Sequence, residues 1–145
     1  MNFRSEEELR SFGKQLAKQL RGGDWVSING PLGAGKTVLC SGILQGLGFC
    51  GEVASPSYAI VHLYEPPELS IAVAHADLYR LDNVSELEEL GLAEERAGRI
   101  TLVEWAERAG SDYAIPSLCI SIEPQADGSR NVQMKMEENE AANRT

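Results

Sequence analysis

Histidine is nearly absent from this chain of 145 residues: His62 and His75 are the only two. That is too few for a histidine-rich metal site. Cysteine is scarce as well. Cys40, Cys50 and Cys119 lie far apart, without the pairing of a disulfide framework or the spacing of a zinc knuckle, and read as reduced thiols. No apolar run approaches the ~18 residues a membrane span needs, and no basic-then-apolar leader opens the chain. The expectation is a cytoplasmic protein with no membrane association. Basic residues are also short: 13 Lys and Arg stand against 22 Asp and Glu, a net charge of −9. Neutralising a phosphate backbone needs clustered Lys and Arg, so a broad basic grip on nucleic acid is excluded. Any work on nucleic acid would pass through protein partners. Aromatics make up 6% against 43% hydrophobic residues, the balance of a soluble globular protein. The length suits one domain, burying about two-thirds of its unfolded surface.

What the chain does have is Gly30-Pro31-Leu32-Gly33-Ala34-Gly35-Lys36-Thr37, which fits G-x-x-x-x-G-K-[ST]. Chance places that pattern in a chain this long roughly once in 200, so its surroundings decide how it is read. Trp25 to Asn29 before it is a short β-prone run. Val38 to Leu47 after it repeats Leu39, Ile43, Leu44 and Leu47 at helical spacing. Strand, glycine-rich turn and helix form the frame in which such a loop grips a nucleotide triphosphate. Gly30, Gly33 and Gly35 let the backbone turn with its amides aimed at phosphate oxygens, and the helix adds its positive N-terminal end. Pro31 to Val38 is therefore the predicted ATP-binding stretch. Lys36 would reach the β- and γ-phosphates and the Thr37 hydroxyl would sit on Mg2+.

The remaining pattern supplies candidate partners for that loop. Ser5 and Glu8 form a capping-box pair, and Leu9, Phe12, Leu16 and Leu20 mark one face of a helix to about Arg21, stopped by Gly22-Gly23. This helix covers the sheet, and its start, at Glu6, is placed where it can also touch the nucleotide. Gly48 to Ser57 is a loop after the P-loop helix. It is either a connector or a mobile segment that senses the γ-phosphate, with Ser55, Ser57 and Tyr58 as its candidates. Tyr58–Tyr64 and Ile71–Ala76 read as an antiparallel hairpin. Asp77 closes the second strand and Glu104 closes Ile100-Thr101-Leu102-Val103. Each acid is placed to serve Mg2+ or water. Four consecutive apolar or β-branched residues before Glu104 indicate a fully buried central strand, which favours Glu104 as the metal ligand. Glu86 to Glu95 is an acidic face on two short helical turns. Ser117–Glu123 and Asn131–Met136 form a closing hairpin about Asp127-Gly128. Arg130 beside that turn either approaches the nucleotide or stays in solvent. Residues 1–136 would be a single P-loop domain and 137–145 a loose polar tail.

Four stretches together, Gly30–Thr37, Ser55-Pro56-Ser57-Tyr58, His75-Ala76-Asp77-Leu78-Tyr79-Arg80-Leu81 and Val103-Glu104-Trp105-Ala106-Glu107, resemble the TsaE (YjeE) family in order and spacing. That family comprises bacterial P-loop ATPases of tRNA threonylcarbamoyladenosine biosynthesis. The resemblance covers nearly the whole chain before the tail. The H-x-D-L-Y-R-L and E-W-x-E elements are far more specific than the loop alone. It implies ATP on Gly30–Thr37 with Mg2+ at Thr37 and Glu104, catalytic roles for Lys36, Asp77 and Glu104, and a switch-like loop at Ser55, Ser57 and Tyr58. Tyr79, Arg80 and Trp105 are further motif positions. Ser57 stands where the family usually carries Thr, keeping the hydroxyl and lacking the methyl. The partners implied are TsaD and TsaB, with tRNA reached only indirectly, and a monomer or weak oligomer when alone. ATP hydrolysis would reset that complex between turnovers.

The expected fold is α/β, a P-loop NTPase-like three-layer arrangement with a mixed sheet that includes an antiparallel hairpin, flanked by helices. Two other functions fit the loop. A small-molecule P-loop kinase would need an acceptor pocket and an arginine-bearing lid, and Arg96, Arg99 and Arg108 are interspersed with glutamates. A non-hydrolysing nucleotide-binding module would hold ATP only as a signal.

Overall fold

The computed structural model describes residues 1–53, 60–110 and 113–136. The proposed switch residues Ser55, Ser57 and Tyr58 and the 137–145 tail lie outside the described residues. Helix α1 spans Glu6–Ala17 and α2 spans Lys36–Gly46, with a short α3 at Ser85–Leu90. The strands are β1 Asn2–Phe3, β2 Trp25–Asn29, β3 Val61–Tyr64, β4 Val73–Asp77, β5 Ile100–Glu104, β6 Leu118–Pro124 and β7 Arg130–Met136. They make one seven-stranded mixed sheet in the order β1-β7-β6-β2-β5-β4-β3. β2 lies parallel to both β5 and β6, and β5 parallel to β4. The edges run the other way, through the β3–β4 and β6–β7 hairpins and the β1–β7 pair. The expected mixed α/β architecture is the one found.

Local chemistry explains where α1 begins and ends. The Ser5 hydroxyl accepts the Glu8 N–H at 3.1 Å, and the Glu8 carboxylate accepts the Arg4 N–H at 2.8 Å. Three glutamates fill the first turn, where the helix dipole favours negative charge. The helix stops at Ala17, about four residues before the expected end near Arg21. Beyond it Gln19 and Leu20 make only tight single turns, to Leu16 and Ala17. Asp24 then folds the chain back, its carboxylate accepting the Arg21 N–H at 2.8 Å. Strand β1 was not expected. Two residues are too few for a period-two signal, and its existence depends on pairing with β7.

The pleat sends alternate residues of each central strand to opposite faces. Val26, Ile28, Ile100, Leu102, Ile120 and Ile122 pack beneath α1 and α2 with Leu9, Leu39, Ile43 and Leu44. On the other face Trp25, Ala74, Ala76 and Val103 pack with Leu78, Leu81, Leu87 and Leu92. Each such large aliphatic side chain, fully buried, contributes about 1.5–3 kcal/mol relative to exposure. β4 and β5 are buried along their whole length. Burial therefore does not distinguish the strand of Glu104 from that of Asp77. Among the described residues, no helix is long and apolar enough to cross a membrane.

Candidate functional site

β2 delivers the chain to the sheet's carboxyl edge at Asn29, and seven residues later α2 begins at Lys36. Gly35 caps that helix with φ at 110°, a conformation that favours glycine. A β-carbon there would also sit 2.7 Å from Leu9 Cδ2 of α1. At Gly30 a β-carbon would lie 2.6 Å from the Ile122 carbonyl of β6. The loop is thus pressed against both the sheet and α1. Lys36 Nζ donates to the carbonyls of Gly30, at 2.6 Å, and Pro31, at 2.8 Å, and lies 4.4 Å from the centre of the Trp105 ring. Burial pushes the Lys36 ammonium below its usual pKa, and the charges of Glu104 and Asp77 oppose that shift.

The two candidate acids come together because their strands are parallel neighbours. Asp77 and Glu104 are register partners at the ends of β4 and β5. Both are buried, at 4% and 2% exposure. The Asp77 carboxylate accepts the Tyr79 N–H at 3.0 Å, which turns the chain out of the strand. Thr37 Oγ1 lies 3.4 and 3.3 Å from the two Glu104 oxygens. His75 Nε2 lies 2.6 Å from Glu104 Oε2, and Cys40 Sγ is 3.9 Å from the same oxygen. Burial, with Glu104 beside it, raises the Cys40 thiol well above its ordinary pKa of 9.0.

Lys36, Thr37, Val38, Asp77, Glu104, Leu32, Gly33, Gly35, Tyr79, Trp105 and Glu6 line one cleft of about 280 Å³. A hollow of about 360 Å³ on the opposite face is mostly apolar, lined by residues such as Trp25, Leu78, Val103 and Tyr113. It contains none of the phosphate-loop residues. Pro31 contributes its carbonyl to Lys36, and Ala34 is the fully buried residue within the loop. Arg130 stands beside Gly35, its Nε 3.4 Å from where a β-carbon would be. Arg80 is exposed and does not line the cleft. Trp105 holds a left-handed backbone with φ at 59°, a strained state for a non-glycine residue and one that turns its ring over Lys36. Tyr79 packs against it, the rings tilted by 50° with centroids 4.9 Å apart. His75, which the sequence offered only as the first position of the H-x-D-L-Y-R-L motif, and Cys40, read only as a reduced thiol, were given no role in the site. Position was a second signal for His75, which precedes Asp77 by two residues and so shares its strand face.

A hydroxyl beside a carboxylate is a hard-oxygen pair of the kind that holds Mg2+ together with substrate phosphates. The loop amides, the α2 N-terminus and Lys36 beside it are groups of the kind that hold an anion. Together with the sheet order, these features define a P-loop α/β protein with its loop and its two acids at the carboxyl edge of parallel strands. The chain matches the family model described as threonylcarbamoyl adenosine biosynthesis protein TsaE over residues 3–134. It is 42% identical to the tRNA threonylcarbamoyladenosine biosynthesis protein TsaE of Rickettsia bellii over 106 residues, 71% of each chain. With the protein of the same name from Mycobacterium leprae it shares 38% identity over 124 residues, 81% of this chain and 77% of that one. The crystal structure of Bacillus subtilis YdiB superposes with a TM-score of 0.76 at 25% identity, covering 98% of this chain and 88% of that one. This chain belongs to the TsaE family.

Proposed function

We propose that this chain binds and hydrolyses Mg2+·ATP in the cleft, in support of a TsaD–TsaB complex that transfers threonylcarbamoyl to the tRNA adenosine beside the anticodon. The observation that carries the reading is the convergence of Lys36, Thr37, Asp77 and Glu104 on one cleft from three separate parts of the chain. Lys36 would exchange its two carbonyl partners for phosphate oxygens. Thr37 and Glu104 would hold the metal, which neutralises charge on the phosphate oxygens when bound. Asp77, at the same level of the sheet, would orient the attacking water. Such chemistry is positioning plus charge stabilisation. No arginine lines the cleft among the described residues, so hydrolysis by the isolated chain is slow and a partner completes the site. The net charge of −9 fits action through proteins, with tRNA reached only indirectly.

The test is steady-state phosphate release from ATP, first with the protein alone and then with TsaD and TsaB. Slow release that rises severalfold with the pair, and loses the rise in Glu104→Ala, supports the reading. No rise with the pair, but rapid turnover when small hydroxylated metabolites are supplied, would replace it with a kinase.

A further inference from the structure

We infer that His75 is a positioning residue, whose Nε2–H holds Oε2 of Glu104 and so aims the carboxylate at Thr37. The inference deepens the metal-site reading above and rests on it. His75 is fully buried and Glu104 nearly so, and the 2.6 Å between them is a short, charge-assisted hydrogen bond. Parallel register sets Asp77 opposite Glu104 and His75 opposite Leu102. His75 therefore reaches diagonally along the sheet, past Leu102, to meet the acid.

The tautomer follows from what each nitrogen meets. Nε2 faces a carboxylate, which only accepts, so Nε2 carries the proton. Nδ1 is buried with no partner among the described residues, as befits the bare nitrogen. Leaving a polar atom buried and unpaired is unfavourable, and an aliphatic residue at this position would avoid that cost. The cost is explained if the contact with Glu104 is what the site requires.

A second use of the same atoms can be weighed against this one. Ligand atoms of Cys40, His75 and Glu104 lie within 4.8 Å of one another, close enough to suggest a site for a softer ion. Ligation through Nε2 would move the proton to Nδ1, where it would have no acceptor. Metal-bound histidines almost always donate that proton to a partner. The orphaned Nδ1 therefore favours the hydrogen bond. Cys40 Sγ, at 3.9 Å, adds a weak second donor to the same oxygen.

Partners of this kind typically change metal affinity roughly 10–100-fold when removed. The test uses Mn2+ as the probe, with a non-hydrolysable ATP analogue, and reads free Mn2+ by electron paramagnetic resonance. His75→Phe fills the space without a donor, and its Mn2+ Kd should rise roughly 10–100-fold. Its affinity for the nucleotide in metal-free buffer should not change. His75→Gln, with an amide N–H, should recover most of the loss, which a purely structural role would not predict. A Kd in folded His75→Phe within roughly twofold of the parent, equal losses in Phe and Gln, or a parallel loss of metal-free nucleotide binding would overturn the inference. Imidazole nitrogen–proton NMR on the unmodified protein needs no variant to fold. A proton on Nε2 is expected, and a proton on Nδ1 would refute the positioning contact. Should the unmodified protein take up no Mn2+ beside nucleotide, the metal-site reading fails first, separately from the variants.

Discussion

Gly42→Ala tests whether the close approach of α1 and α2 holds the phosphate loop in place. A β-carbon on Gly42 would come within 3.1 Å of the Arg10 Cα and carbonyl carbon, and nearer still to the Arg10 oxygen. From the other side, one on Gly13 would lie 2.7 Å from the Leu39 carbonyl and 3.0 Å from the Ile43 nitrogen. All these neighbours are main chain, so no rotamer change relieves the clash and the helices must separate. Overpacking costs about 1–3 kcal/mol, and a clash with main chain that no rotamer relieves falls in the upper part of that range, about 2–3 kcal/mol. Alanine returns about 1 kcal/mol of helix propensity, so the net loss should be about 1–2 kcal/mol. For a chain this size that lowers Tm by roughly 3–8 °C. Because Leu9 of α1 packs against Gly35, parting the helices also shifts the start of α2 relative to Glu104, and nucleotide affinity should fall with stability. Urea unfolding followed by circular dichroism, with an unchanged m-value, gives the first quantity. Gly98→Ala is the control, since a β-carbon there meets nothing within 4 Å, and it should stay within about 0.5 kcal/mol. A Gly42→Ala protein as stable as its parent would show that the interface relaxes freely, and that helix contact does not set the loop.

Two further outcomes follow from residues outside the cleft's proposed chemistry. Ser5→Ala removes the cap on the Glu8 N–H and should cost about 1 kcal/mol in urea unfolding, with Ser5→Asp restoring most of it. Equal stability of all three would mean that the cap is idle. Cys40 gives a pH signature: burial, then the Glu104 charge, holds its folded pKa well above 9.0. The folded chain keeps a proton that the unfolded chain loses above pH 9.0, so this thiol makes stability fall by up to about 1.4 kcal/mol per pH unit there. Cys40→Ser lacks that contribution, and the stability gap between it and the parent should narrow between pH 9 and 10. A gap that stays constant with pH would refute the shift.

Much of the fold was legible because its signals are local. The glycine pattern announces the turn at Gly30–Gly35, helical spacing marks Leu39 to Leu47, and Asp127-Gly128 marks the last hairpin. In that hairpin the Asp127 carboxylate accepts from both the N–H and the hydroxyl of Ser129. What the sequence left open depends on tertiary partners. β1 is two residues long and exists through β7. The end of α1 is set by Asp24, seven residues beyond Ala17, and no propensity rule places it there. Nor does sequence order alone place β6 beside β2. That crossing puts the Ile122 carbonyl against Gly30 and makes a side chain there impossible without displacement.

The acids show the same division. That Asp77 and Glu104 each end a strand can be read directly, but that they are partners at one level requires knowing that β4 and β5 are parallel neighbours. Once they are, both acids face the same cleft, and a ranking by how apolar each strand looks loses its force. The contacts of each acid bear on its role instead. Asp77 is tied by the Tyr79 N–H to the turn that leaves the sheet. Glu104 is approached from three sides, by Thr37, His75 and Cys40, and none of the three is near it in sequence. A carboxylate with one oxygen held by a buried donor, and both within 3.4 Å of a hydroxyl at a helix start, is restrained before any ligand arrives. Such restraint suits a metal ligand, which gains from fixed orientation, more than a group that must follow a moving water. This restraint on Glu104 fits it to the metal role.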